Sequence, residues 1–185
     1  MVAGVKRLAE GWKYDVVSVG YPGPVLHNRP VADPKNLGRG WMGFDFKKAF
    51  GRPVKVANDA AMQALGSYEG RRMLFLGLGT GLGTTVIRDR VLMSMELAHL
   101  PYRHGKTYEE YIGQAGLDRL GTRKWKHHVR EIVALLMNAL VVDYAVLGGG
   151  NVRLFDTLPP RTRRGDNANA FRGGFRLWHD DVICT

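Results

Sequence analysis

Two stretches decide the reading of this chain: Val54-Lys55-Val56-Ala57-Asn58-Asp59-Ala60-Ala61-Met62-Gln63-Ala64-Leu65, and then Met73-Leu74-Phe75-Leu76-Gly77-Leu78-Gly79-Thr80-Gly81-Leu82-Gly83-Thr84. Val54, Val56 and Ala57 predict the end of a short buried strand, and Ala60 to Leu65 predict the helix leaving it. Asp59 at that turn stands at the carboxyl end of a strand, where open α/β sheets place their ligands. The second stretch is an apolar strand that ends in a glycine-rich loop. Such a loop lets backbone N–H groups approach an anion with no Cβ in the way, and threonine hydroxyls add donors. It is neither the P-loop nor the dinucleotide pattern, because no Lys-Ser/Thr ends it. An acid or base at one turn and a phosphate cradle at the other imply phosphoryl transfer to a hydroxyl.

Each feature also has a plainer reading. Asp59 at a helix start serves equally as an N-cap, worth about 1 kcal/mol. Gly79 to Thr84 could be only a tight strand connection, although three glycines and two threonines in six residues exceed what a turn requires. Glu96 and His99 are three apart and share a face on a helical turn, where an ordinary surface pair competes with a pair that grips vicinal sugar hydroxyls. A metal site there would need further ligands that the surrounding sequence does not offer. Gly148-Gly149-Gly150-Asn151 after a strand reads either as a strained turn or as a close backbone approach to a nucleotide or phosphate chain.

Composition sets the outer bounds. The chain has 185 residues, enough for one ordinary domain or two small lobes, and its 45% apolar and 24% charged residues are those of a globular protein. No run reaches the roughly 18 apolar residues of a membrane span, and no membrane partner is expected. The opening Met1 to Leu8 has no signal-peptide pattern, and the single Cys184 allows no intrachain disulfide and no cysteine zinc site. A cytoplasmic location is the expectation. The net charge of +10 points to an anionic partner. The basic residues are scattered and carry no DNA- or RNA-binding motif, so nucleic acid is not the expected one.

Outward from the two stretches, residues 2–12 predict an amphipathic helix, and 15–20 a strand closed by the turn Tyr21-Pro22-Gly23-Pro24. Residues 25–43 read as a long loop with room for a short hairpin. Phe44 to Phe50 suggests a short helix. Residues 84–87 and 91–93 flank Arg88-Asp89-Arg90 as an antiparallel hairpin. Met95 to His99 follows, then a polar connection and a helical turn at 108–112. Val129, Ile132, Val133, Leu136 and Leu140 mark the strongest helix. Residues 144–147 are a buried strand, 152–155 begin a helix, 161–167 are a basic loop, and 168–178 form a closing helix.

With these residues placed, the chain resembles the ROK family of sugar kinases, and within it the polyphosphate/ATP glucokinase branch. Seven blocks in order carry the likeness: Gly20-Tyr21-Pro22-Gly23, Asn36-Leu37-Gly38-Arg39-Gly40-Trp41, 56–61, 76–83, Glu96-Leu97-Ala98-His99-Leu100-Pro101-Tyr102, Leu147-Gly148-Gly149-Gly150-Asn151 and Gly165-Asp166-Asn167-Ala168-Asn169-Ala170-Phe171. The resemblance implies an α/β, actin-like (ribonuclease H-like) ATPase fold of two lobes with sugar between them. It sets residues 1–70 as an incomplete N-terminal lobe and 71–185 as the C-terminal lobe with the phosphate and nucleotide loops. It implies Asp59 as catalytic base, and Asn58, Glu96, His99 and Glu109 as sugar-binding residues, with Glu110 competing for the last place. It implies Gly79, Thr80 and Gly81 as phosphate-binding residues and Gly149, Gly150 and Asn151 on the nucleotide side. The cofactor it implies is Mg²⁺ with ATP or polyphosphate; the partners are glucose or a related hexose and a second copy of the chain in a homodimer.

Two departures stand out. The family's cysteine-rich zinc motif is missing between His99 and Tyr111, so no zinc is expected. The family's opening Asp-x-Gly-Gly-Thr phosphate hairpin has no counterpart, which predicts a sheet short of central strands and an open edge needing cover. The expected activity is that of a glucokinase-type phosphotransferase acting on the 6-hydroxyl of glucose. The competing expectation is a truncated, non-catalytic sugar-binding or oligomerising remnant.

Overall fold

The structure, a computed structural model, describes residues 1–34, 37–179 and the backbone of 183–184. Asn36, which opens one of the family-like blocks, and the Cys184 side chain lie outside the described residues. The chain divides into two compact units, Met1–Asp59 and Ala60–Thr185. The division falls one residue into the helix that begins at Asp59, whereas the sequence set it after residue 70.

In the first unit, α1 (Val2–Leu8) forms as expected but buries no residue. Strand β1 (Val17–Tyr21) pairs in parallel with β4 (Val54–Asn58), from Val17 opposite Val54 to Tyr21 opposite Asn58. Among the described residues these two strands form a sheet of their own. Between them, β2 (Val25–Leu26) and β3 (Arg29–Pro30) make the short hairpin for which the long loop had room. Helix α2 (Phe46–Phe50) is capped by Asp45, whose side chain accepts from the Lys48 N–H at 2.8 Å. Tyr21, Phe46 and Val56 form the core of this unit, with Trp41 and Phe44 packed on it.

The second unit is built on one sheet. Its order is β11 (Thr162–Arg164), β10 (Tyr144–Gly148), β5 (Met73–Leu78), β6 (Leu82–Arg88), β7 (Val91–Met95) and β12 (Ile183–Cys184). Strands β10 and β5 run parallel, while β5–β6 and β6–β7 are antiparallel, so the expected hairpin forms around Asp89. Strand side chains alternate between faces. Leu74, Leu76 and Leu78 therefore share one face, and they join Trp125, Val129, Ile132, Val133 and Leu136 in the main core. Those last five residues lie on α5 (Gln114–Ala139).

On the other side, α3 (Asp59–Ser67) buries Ala61, Ala64 and Leu65 completely. Helix α6 (Asn169–Arg176) crosses it so closely that a Cβ on Gly66 would overlap the Asn169 carbonyl, and one on Gly173 the Met62 carbonyl. Arg176 then donates to the carbonyls of Leu65 and Tyr68, both at 2.7 Å, which satisfies groups that the end of α3 leaves open.

Four expectations are corrected here. The basic loop at 161–167 contains β11, an edge strand paired in parallel with β10. The polar connection after His99 contains a second hairpin, β8 (Pro101–Arg103) and β9 (Lys106–Thr107). The long helix begins at Gln114, well before the apolar positions 129–140 that marked it in the sequence, and it continues through a kink at Gly121 (φ 73°, ψ 159°) that only a glycine tolerates well. The segment after Asn151 is a 3₁₀ turn, Gly150–Leu154, and not an α-helix. Arg164 takes the Val152 and Phe155 carbonyls at 2.8 and 2.6 Å, so they are not left to a longer helix.

Candidate functional site

Asn58 ends β4, and its Nδ2 donates to the Gly23 carbonyl at 3.0 Å. That bond ties the strand end to the Tyr21–Pro24 turn, whose Tyr21 hydroxyl in turn donates to the Ala32 carbonyl at 2.8 Å. Asp59 is the first residue of α3 and its side chain is exposed, not turned into packed protein. Its neighbour Ala60 is buried against the glycine loop: a Cβ on Gly83 would lie 2.7 Å from that of Ala60. Nearby in the first unit, Asp33 Oδ1 accepts from the N–H groups of Gly40, Trp41 and Met42 at 3.1, 2.8 and 3.2 Å. Those bonds, the Trp41 N–H foremost, hold its carboxyl below the usual range.

In the second unit the glycine loop joins β5 to β6. The Gly79 N–H donates to the Gly81 carbonyl at 3.2 Å, and Thr80 is exposed at the tip. Glu109 lies on α4 (Tyr108–Ile112), and its Oε2 accepts from the Leu82 N–H at 3.0 Å. A side chain at position 81 has no room, since a Cβ there would sit 2.5 Å from the same oxygen. Glu110 has another task. It closes a capping box with Thr107 and pairs with Lys106 at 3.1 Å, and these bonds, the Thr107 N–H first, lower its carboxyl pKa.

Glu96 precedes and His99 ends a 3₁₀ turn, Leu97–His99, with His99 Nε2 and Glu96 Oε2 3.6 Å apart and both side chains about two-thirds exposed (64% and 63%). The turn hangs from Thr84. That hydroxyl donates to the Met95 carbonyl at 2.5 Å and accepts from the Leu97 N–H at 3.1 Å. Thr84 is buried and its one O–H is spent, so it is not the phosphate donor that the loop sequence suggested.

Gly149 has φ +81°, and a Cβ there would collide with the Leu78 carbonyl, so the approach of this loop to the end of β5 requires glycine. Asn151 is buried and donates through Nδ2 to Gln114 Oε1 at 2.9 Å, while the Gln114 N–H donates to the Thr80 carbonyl at 3.3 Å. Glu109, the 79–81 loop, the Glu96/His99 turn and Asn151 are thus hydrogen-bonded into one assembly through Leu82, Thr84 and Gln114. Sequence reasoning missed Gln114. The only available signal was its place directly after Gly113, at the seam between α4 and α5.

A second polar cluster supports the β8–β9 hairpin. The Tyr102 hydroxyl donates to Glu131 Oε2 at 2.7 Å and lies 3.0 Å from His128 Nδ1, and Arg103 pairs with Glu131. Burial, then the Arg103 charge, pushes the His128 pKa down, while the Tyr102 hydrogen bond first of all lowers that of Glu131. Among the described residues, no three His, Cys, Asp or Glu side chains gather to hold a metal.

No family model matches the chain. Among curated proteins, it is 28% identical over 179 residues to a polyphosphate glucokinase of Mycobacterium tuberculosis, covering 86% of this chain and 66% of that protein. Among solved structures, it superposes with a TM-score of 0.74 on an inorganic polyphosphate/ATP-glucomannokinase from Arthrobacter sp., at 22% identity over 94% of this chain and 78% of that one. It also matches a ROK family glucokinase from Streptomyces griseus solved with glucose and AMPPNP (TM-score 0.72, 17% identity, 95% and 86% covered). In fold, this chain is similar to the ROK-family sugar kinases. Its fold is theirs, the actin-like ATPase fold expected from the sequence. The chain spans just under two thirds of the length of its mycobacterial relative. None of its described helices is long and apolar enough to cross a membrane.

Proposed function

We propose that the chain works as a glucokinase-type phosphotransferase, moving a phosphoryl group from ATP or polyphosphate to the 6-hydroxyl of glucose. One observation carries the reading: Glu109, expected on the sugar, is hydrogen-bonded to Leu82 at the end of the glycine loop expected on the phosphate. The residue expected on the sugar and the loop expected on the phosphate are therefore joined by a direct hydrogen bond. Phosphoryl transfer depends chiefly on such positioning and on charge stabilisation.

In the proposed reaction, Glu96, His99, Glu109 and Asn58 grip the hexose hydroxyls. Asp59 takes the proton of the 6-hydroxyl as that oxygen attacks the terminal phosphorus. The bond from phosphorus to the donor oxygen breaks, and the donor leaves as ADP or as a polyphosphate one unit shorter. The backbone of Gly79, Thr80 and Gly81 faces the transferring group, and Gly149, Gly150 and Asn151 face the rest of the donor. Mg²⁺ supplies charge neutralisation when it arrives on the donor phosphates. An ion held by phosphate and water, with at most one or two carboxylates, fits a chain whose described residues form no metal cage. The net charge of +10 suits a polyanionic donor. A cytoplasmic homodimer completes the reading, and sedimentation measures the dimer directly.

A coupled assay for glucose 6-phosphate, run with ATP and separately with polyphosphate, tests the proposal. Turnover with either donor supports it. Glucose binding by calorimetry with no turnover from either donor contradicts it and favours a sugar-binding role.

A further inference from the structure

We propose that Gln114 and Asp118 form a hydrogen-bond relay that positions Asn151 for the phosphoryl donor, Gln114 being a positioning residue that touches no substrate. The donor-side role of Asn151 rests on the kinase reading above; the relay itself rests on three bonds. Gln114 Nε2 donates to Asp118 Oδ1 at 2.8 Å, Asn151 Nδ2 donates to Gln114 Oε1 at 2.9 Å, and the Gln114 N–H donates to the Thr80 carbonyl at 3.3 Å.

The chemistry of the groups fixes the direction of the relay. A carboxylate only accepts hydrogen bonds, so the Gln114 group that faces Asp118 has to be its NH₂. The Gln114 carbonyl then faces Asn151, which has to answer with its own NH₂. Asp118 thereby decides which way round the Asn151 amide stands, one turn of α5 and one side chain away. Asn151 is buried, so a reversed amide would set carbonyl against carbonyl where water does not easily compensate. Meanwhile the Gln114 backbone holds the tip of the glycine loop. One residue thus fastens the transferring-phosphate side to the Asn151 side, its main chain serving the first and its amide the second. Side-chain variants leave the main-chain bond in place and test the relay alone.

The test compares the wild type with Gln114→Glu and with the double variant Gln114→Glu/Asp118→Asn. The single change sets two carboxylates where an amide met a carboxylate, so they repel, and the new side chain at 114 is driven off the position from which it accepts the Asn151 amide. The double change restores the order of donors and acceptors, because the amide at 118 donates to the carboxylate at 114, which still accepts from Asn151. Calorimetry with a non-hydrolysable ATP analogue and with inorganic polyphosphate is expected to show donor affinity weakened roughly tenfold in Gln114→Glu, in line with a buried polar group left unpaired. Affinity should return to within about twofold of wild type in the double variant, with glucose affinity the same in all three.

Gln114→Ala, which removes the acceptor and adds no charge, is expected to show the same donor loss, and it serves if the glutamate variant fails to fold. Unchanged donor affinity in the single variants, or a double variant no better than Gln114→Glu, overturns the relay and leaves the kinase reading intact. A wild type that binds donor but makes no glucose 6-phosphate overturns the kinase reading and leaves the relay standing. A wild type that binds neither donor overturns both.

Discussion

Thr84 and Thr85 are neighbours on β6, both buried, and they differ in what their hydroxyls do. Thr84 holds the Glu96/His99 turn by two hydrogen bonds, whereas the Thr85 hydroxyl is buried with no partner among the described residues. Replacement by valine keeps the shape and removes only the hydroxyl. Thr84→Val is expected to destabilise the protein by about 1–2 kcal/mol and to weaken glucose binding, since the Leu97 N–H and Met95 carbonyl lose their partner. Thr85→Val is expected to leave glucose binding unchanged and to raise the melting temperature, because an unsatisfied buried hydroxyl is removed. Paired melts and glucose titrations read both changes. The sequence showed that 80 and 84 were hydroxyls beside a glycine loop; it could not show which one the fold had already used. That depends on the register of β6 against β7, which puts Thr84 opposite Met95. The same holds for Glu109 and Glu110, adjacent and alike in sequence, one tied to the loop and the other spent on a capping box.

Asp143 is a second residue whose role is set by its partner. Arg72 reaches it with Nε at 3.2 Å and Nη2 at 2.9 Å, and the Arg72 N–H adds a third bond at 2.9 Å. The Arg72 side-chain hydrogen bond first, then its backbone N–H, holds the Asp143 carboxyl at a pKa of about 2. A folded-state pKa below the unfolded value of about 3.9 means the unfolded chain takes up the proton first as pH falls. The pair therefore stabilises the fold fully above about pH 4 and loses that contribution as pH falls toward 2. Asp143→Asn is expected to melt lower than wild type at pH 6, with the gap closing between pH 4 and pH 2. A gap that stays constant across that range would show that the pair is not the cause.

At the scale of elements, the contact between α3 and α6 is made possible by glycine on both helices. Gly173→Ala or Gly66→Ala drives a methyl into a backbone carbonyl and is expected to cost about 1–3 kcal/mol, read by denaturant unfolding. A fully tolerated alanine at both positions would mean the helices do not cross as described. The elements that sequence periodicity revealed were those with several buried residues in a row. Strand β5, the β6–β7 hairpin and the apolar face of α5 belong here. What it concealed were β8, β9 and β11, each only two or three residues long and largely polar. Strand β11 reads Thr-Arg-Arg and, among the described residues, is a sheet edge with β10 as its neighbour, so pairing fixes it rather than burial of an apolar face. The first turns of α5 were hidden by Gly121, which in a single sequence looks like a terminator and in the fold is a kink.

At the scale of the whole molecule, the chain comprises two compact units, one carrying Asn58 and Asp59 and the other carrying every other residue expected at the site. The fold class was legible in the sequence because strand–turn–ligand motifs recurred in a fixed order. The cross-links among them were not legible, because the Leu82 N–H, the Thr84 hydroxyl and the Gln114 amide are ordinary groups that meet their partners only through the fold. The chemistry of the account depends on Asp59, at the boundary where α3 begins.

The most direct test is the rate of glucose 6-phosphate formation by Asp59→Asn beside wild type, with glucose affinity measured on the same preparations. If Asp59 removes the proton of the attacking hydroxyl, turnover should fall by about 10²- to 10⁴-fold while glucose binds within about threefold of wild type. An asparagine variant that turns over at the wild-type rate would contradict the account.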